Sequence, residues 1–145
     1  MPNPRIKADV RHQTKERACF RCEYCLSPET YSLTKFSIEH ILPLSRSGNN
    51  SPDNLALSCQ ECNNLKSVQT EAVDPSTNES VPLFHPRQHQ WAEHFCWSED
   101  KLTMLGLTPT GRATIERLHL NRIGVVNLRS LLLLAHKHPP PTERQ

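Results

Sequence analysis

Apolar and polar positions follow different rhythms along this chain, and the changes of rhythm mark its elements. Over residues 5–18 (RIKADVRHQTKERA) charged positions dominate, and Ile6, Val10 and Ala18 leave one thin apolar stripe, which predicts a helix. From Phe36 to Ile41 the period is two, with Phe36 and Ile38 on one face, as a short strand requires. Residues 43–53 (PLSRSGNNSPD) gather Pro, Ser, Gly, Asn and Asp and read as a loop. A second short strand is expected over residues 55–58. The stretch 63–73 has no Gly or Pro and is expected to be a short helix stopping before Asp74 and Pro75.

Residues 74–90 read as a polar connector with three prolines. Beyond it, residues 94–97 and 102–107 suit a β-hairpin. Two helices follow, over 112–121 and 125–137, the second with Leu128, Leu131, Leu132 and Ala135 on one face. Pro139, Pro140 and Pro141 predict an extended, unpacked and disordered tail. Trp91 and Trp97 are expected in the core of this half. The pattern divides into residues 1–73 and an accessory unit over 74–145, and the class it predicts is α+β.

Composition narrows the classes. Of 145 residues, 36% are hydrophobic and 22% charged, which is polar for a globular chain but not the signature of disorder. The longest apolar run, Leu131 to Ala135, falls far short of the ~20 residues of a membrane span. Residues 1–7 lack the apolar stretch of a signal peptide, so neither a membrane nor a secreted protein is expected. The net charge of +2 is uneven: residues 1–22 carry +4, residues 23–75 carry −4, and residues 111–145 carry +4. Basic ends therefore flank an acidic middle. Arg112, Arg117 and Arg122 are expected to supply phosphate contacts.

Six cysteines change the picture most. Two C-x-x-C pairs without an export signal read as metal ligands in a cytoplasmic protein rather than as disulfides. Cys22, Cys25, Cys59 and Cys62 suit one tetrahedral zinc, because each turn can present both of its sulfurs to the same ion. Cys19 and Cys22 form an alternative pair, but the Cys22/Cys25 register is preferred, with Cys19 at a helix end. Cys96 reads as a small buried hydrophobe in a strand. The 33 residues between the pairs are more than a compact zinc ribbon has, so something is inserted there.

That insertion holds Ile38-Glu39-His40-Ile41 and then Pro52-Asp53-Asn54-Leu55, and the second pair continues as Cys62-Asn63-Asn64-Leu65-Lys66. This order of strand, loop ending in Asn, strand and C-x-x-C-N helix closely resembles the HNH endonucleases, the ββα-metal nucleases in their zinc-knuckle form. The resemblance covers about residues 15–70 and implies a ββα-metal core stapled by structural Zn²⁺. It implies His40 as the general base that deprotonates water, and Glu39 and Asn63 as ligands of a catalytic metal. Asn54 would brace the loop and orient the base. Lys66, three residues past Asn63 on the same helical face, is placed to reach a phosphate.

These residue types suit metal-dependent DNA hydrolysis. Imidazole is the side chain best matched to proton transfer near neutral pH. Oxygen donors from Glu39 and Asn63 favour Mg²⁺ or Mn²⁺ as the catalytic ion. By the resemblance, the products carry 5′ phosphate and 3′ hydroxyl. One tension stands out: adjacent strand residues face opposite sides, so Glu39 and His40 share a site only if the strand ends or bulges there.

Other signals read more blandly. Arg46 belongs to a solvated loop with access to phosphate. His85, His89 and His94 do not read as a metal site, since Pro86 breaks the helix that would align the first two. The stretches HPRQHQW and LTPTGRATIERL resemble the tail of a group of bacterial HNH proteins, which names no chemistry. Two other readings stand beside the nuclease: a non-catalytic zinc-knuckle module that binds nucleic acid, and an assembly component whose C-terminal half docks on a partner protein or a second copy.

Overall fold

The computed structural model describes residues 5–141, which divide into two compact units, the first ending at Thr70 and the second starting at Glu71. Both mix helices with two-stranded antiparallel sheets, so the class is α+β. Among the described residues no helix is long and apolar enough to cross a membrane.

The first unit opens with α1 (Ala8–Arg17), whose narrow apolar side is completed by flanking residues: Ile6 and Ala18 are buried, as is Thr14. Thr14 is tolerated there because its hydroxyl donates to Val10 O at 2.8 Å. Cys19 and Phe20 then take positive φ and turn the chain sharply into the first cysteine pair. β1 (Ser37–His40) pairs with β2 (Leu55–Ser58), with Glu39 opposite Ala56 and His40 opposite Leu55. All of β2 is buried, and its outer edge is satisfied by Glu23. Glu23 N donates to Leu57 O at 2.9 Å, and its carboxylate accepts from Leu57 N at 2.8 Å.

Straight after β2 comes α2 (Gln60–Lys66), capped by Cys59, whose sulfur accepts from Cys62 N. The expected helix over 63–73 is corrected here. It starts earlier, on the cysteine cap, and it stops at Lys66 because Ser67 takes a φ of 53°. Residues 71–73 are instead a strand.

That strand, β3 (Glu71–Val73), opens the second unit as a hairpin with β4 (Ser80–Pro82), so part of the expected connector is ordered. The buried Asp74 closes the turn by accepting from Ser76 N, from Thr77 Oγ1 and from both Nε and a terminal nitrogen of Arg112 at 2.9 Å. The guanidinium holds the Asp74 carboxyl well below the usual carboxylate range. A short turn, α3 (Trp91–His94), leads to the expected hairpin of β5 (Phe95–Trp97) and β6 (Met104–Gly106). α4 (Pro109–Leu118) follows, with Thr108 Oγ1 accepting from Gly111 N at 3.0 Å. Gly111 is required for packing, since a Cβ there would overlap His94 O.

The last helix, α5 (Ile123–Leu134), is rotated relative to the expected leucine face. Val125, Arg129 and Leu132 are buried, whereas Leu131 is 65% exposed. Arg129 fills the centre because main-chain acceptors await it: Leu102 O at 3.0 Å and Leu120 O at 2.8 Å, with Trp97 beneath its guanidinium. Trp91 is buried as expected, and Cys96 is half-buried in β5. The tail is not unpacked throughout: Pro140 is buried, and so is His138, which bonds Lys101 O at 2.7 Å. Residues 142–145 of that expected tail lie outside the described residues.

Candidate functional site

Two turns and one helix cap bring four sulfurs together. The turn at Cys22–Cys25 is closed by Leu26 N donating to Cys22 O, and Cys25 N points at Cys22 Sγ from 3.5 Å. Cys59 and Cys62 face it from the start of α2. The four sulfurs lie within 4.8 Å of one another, and among the described residues no other group of three or more His, Cys, Asp or Glu is placed to hold a metal. Sulfurs bound to a tetrahedral zinc at about 2.3 Å stand roughly 3.8 Å apart. Cys25 Sγ and Cys59 Sγ are separated by 3.8 Å.

The chemistry of the donors agrees with that spacing. Burial pushes the Cys22 thiol well up and contact with Cys22 pushes Cys62 up, while the same sulfur contacts hold Cys25 and Cys59 down. Four clustered thiols, three of them buried, cannot all ionise side by side without a cation, and a divalent ion removes the conflict. The cluster is compatible with structural zinc. Cys19 is exposed and stands outside it.

His40 sits at the last position of β1, half-buried, with Nε2 2.6 Å from Asn50 Oδ1. Asn54 clamps the loop that joins the strands. Its Oδ1 accepts from Leu42 N at 2.8 Å, and its Nδ2 donates to Leu42 O at 2.9 Å and to Asn49 O at 2.8 Å. From α1, Arg17 donates to Pro52 O and Leu55 O, which pins the far end of the loop. Gly48 is needed within it, because a Cβ there would overlap Leu42 O. Asn54 thus bonds Leu42 and Asn49 across the loop, and the residue touching the His40 ring is Asn50. Its only sequence signal was membership of a polar loop. Asn54→Ala is expected to strand two acceptors and a donor and to cost about 1–3 kcal/mol, read as a lower thermal midpoint.

Glu39 and His40 part company. The ladder runs through both residues without a bulge, so their side chains leave opposite faces of the strand. Glu39 is 5% exposed and turned inward. Its Oε1 accepts from Tyr24 OH at 2.6 Å, and its Oε2 lies 3.2 Å from Lys66 Nζ. Lys66, only 1% exposed, also donates to Ile41 O at 3.0 Å. Burial pushes the Glu39 carboxyl up, and Lys66 and Tyr24 pull it back.

This network bears on two expectations. Lys66, expected to face a phosphate, has its ammonium enclosed between the Glu39 carboxylate and Ile41 O. Glu39 does not fit the part of an open metal ligand, because its negative charge already has an enclosed cation. Asn63 is half-buried one turn before Lys66 on α2; its main-chain N–H donates to Cys59 O at 3.0 Å, and its side-chain amide makes no hydrogen bond among the described residues.

The remaining basic candidates are mostly committed. Arg112 is held by Asp74, Arg122 donates to Leu118 O and His119 O at the end of α4, and Arg117 is exposed. Arg46 is exposed and donates to Val68 O at 3.2 Å. Of the histidines weighed as a metal site, His85 Nδ1 accepts from main-chain amides, as does His89 Nδ1, and His94 Nδ1 meets Thr108 Oγ1 at 2.6 Å.

Residues 22–69 match the family model described as HNH endonuclease, the family that the motifs resemble. The matched span begins at the first clustered cysteine and takes in β1, the loop, β2 and α2. No curated protein and no solved structure matches the chain.

Proposed function

Taking residues 22–69 as an HNH domain, we propose that this chain is an endonuclease that hydrolyses DNA phosphodiester bonds, with His40 as general base and β1, β2 and α2 as its ββα core. The observation that carries the reading is the placement of His40. It stands at the end of β1, on the face opposite the enclosed Glu39, with one ring nitrogen held by Asn50. The other nitrogen can take a proton from a water aligned on phosphorus. Structural zinc at Cys22, Cys25, Cys59 and Cys62 fixes the start of α2 against the strands and takes no part in the reaction. Lys7, just before α1, and Arg11, within it, are exposed and supply charge toward the phosphate backbone. The Glu39 carboxylate, held by Lys66, serves the fold and not a catalytic ion. A reducing, cytoplasmic setting suits clustered thiolates.

His40→Ala tests the reading. Plasmid nicking should fall by on the order of 10²–10⁴-fold, with DNA affinity nearly unchanged, because a general base acts on the reaction and not on docking. Cleavage at the wild-type rate would remove His40 from the mechanism. The enclosed Glu39–Lys66 pair favours a second reading, a zinc-knuckle module that binds nucleic acid without cutting it. That reading predicts DNA binding by the purified wild-type chain and no nicking under any divalent metal.

A further inference from the structure

We propose that Asn50 is the positioning residue of the site: it fixes the tautomer of His40 so that Nδ1 is the nitrogen that accepts the proton. This rests on the nuclease reading above. An amide oxygen can only accept a hydrogen bond, so a neutral imidazole whose Nε2 lies 2.6 Å from Asn50 Oδ1 carries its proton on Nε2. The lone pair then resides on Nδ1. Asn50 can impose this because its surroundings are fixed. Its neighbour Asn49 is held twice, through its carbonyl by Asn54 Nδ2 at 2.8 Å and through its side chain by Ser51 N at 2.9 Å. The same loop is closed at its start by Gly48 N donating to Pro43 O at 2.9 Å.

Asn54 thus acts on the base at one remove: it holds the segment from which Asn50 reaches the ring. The choice of an amide over a carboxylate also has a consequence. Asn50 orients the ring without placing a negative charge beside it.

The test uses the full chain loaded with zinc. Nitrogen-15 spectra that separate the two imidazole tautomers are recorded for wild type, Asn50→Ala and Asn50→Asp, and cleavage is followed against pH. Wild type should show His40 protonated on Nε2, and Asn50→Ala should show a mixture. Asn50→Ala should also lose about 10²-fold in kcat from the mispositioned ring, with an unchanged thermal midpoint. Asn50→Asp should recover the Nε2–H tautomer and shift the acid limb of the pH profile upward by a unit or more, since the new carboxylate stabilises imidazolium. An Nδ1–H tautomer in wild type, or an Asn50→Ala chain with wild-type spectrum and kcat, overturns the proposal. The spectra are read without substrate, so failure of the positioning appears there, whereas failure of the nuclease reading appears as His40→Ala cutting like wild type.

Discussion

Replacing Cys59 by Ser is expected to release the zinc and unfold the unit that ends at Thr70. Two losses coincide at this residue. Its sulfur is one of the four within 4.8 Å, and it also caps α2 by accepting from Cys62 N at 3.4 Å. Removing a cap costs about 1 kcal/mol, which a domain can absorb. Losing the ion is a different order of effect. Structural zinc contributes on the order of 10–16 kcal/mol in small zinc-dependent folds, comparable with or above the whole 5–15 kcal/mol stability of a typical domain. Elemental analysis should find about one zinc per wild-type chain and far less in Cys59→Ser. Circular dichroism should show the loss of structure, and chelation of the wild-type protein should reproduce it. A metal-free protein with an unchanged melting curve would contradict the assignment.

The second large effect is expected at Lys66. Lys66→Met leaves the Glu39 carboxylate buried with the Tyr24 hydroxyl bonded to it but no cation beside it, and uncompensated buried charge costs about 3–5 kcal/mol. Glu39→Gln should cost less than Lys66→Met, because the amide oxygen can still accept from Tyr24 while the long ammonium stem of Lys66 has room to move its charge. The double variant Glu39→Gln, Lys66→Met should be markedly more stable than Lys66→Met alone, since it removes both charges. Chemical denaturation of the four proteins closes a double-mutant cycle, and its coupling energy measures the pair. Additivity would mean that the two side chains do not sense each other. The cycle also bears on the reaction: a strong coupling keeps Glu39 committed to Lys66 and away from any cation.

Much of the first unit was legible because its signals are local. The C-x-x-C spacing fixes two sulfurs on one turn whatever the rest of the chain does, and a tetrahedral ion then needs only a second such turn. The period of two over residues 36–41 and the turn-rich loop after it located β1 and its exit. Strand alternation even exposed the conflict between Glu39 and His40 in advance. Its resolution was tertiary: without a bulge, Glu39 was sent inward, where a lysine one turn after Asn63 could neutralise it. Nothing in the spacing distinguishes a lysine aimed at solvent from one enclosed by a carboxylate and a carbonyl.

The other departures have the same physical cause. Residues 71–73 carry no breaker, so helix was the local expectation, but Ser80–Pro82 offers them ladder partners and the chain takes the strand. In α5 the leucines are spaced like a core face, yet Arg129 occupies the centre because Leu102 O and Leu120 O need a donor more than the core needs another leucine. The role of Asn50 follows the same logic, since it lies ten residues from His40 in the chain and 2.6 Å from it in space. The sequence by itself determined which four cysteines cluster and the α+β class, because both are written in short-range spacing, and it offered His40 as base candidate through the family that its motifs resemble. Tertiary structure decided which charges are enclosed, which face of a helix is buried and which side chain touches the His40 ring, because those depend on partners that only folding brings within hydrogen-bonding distance.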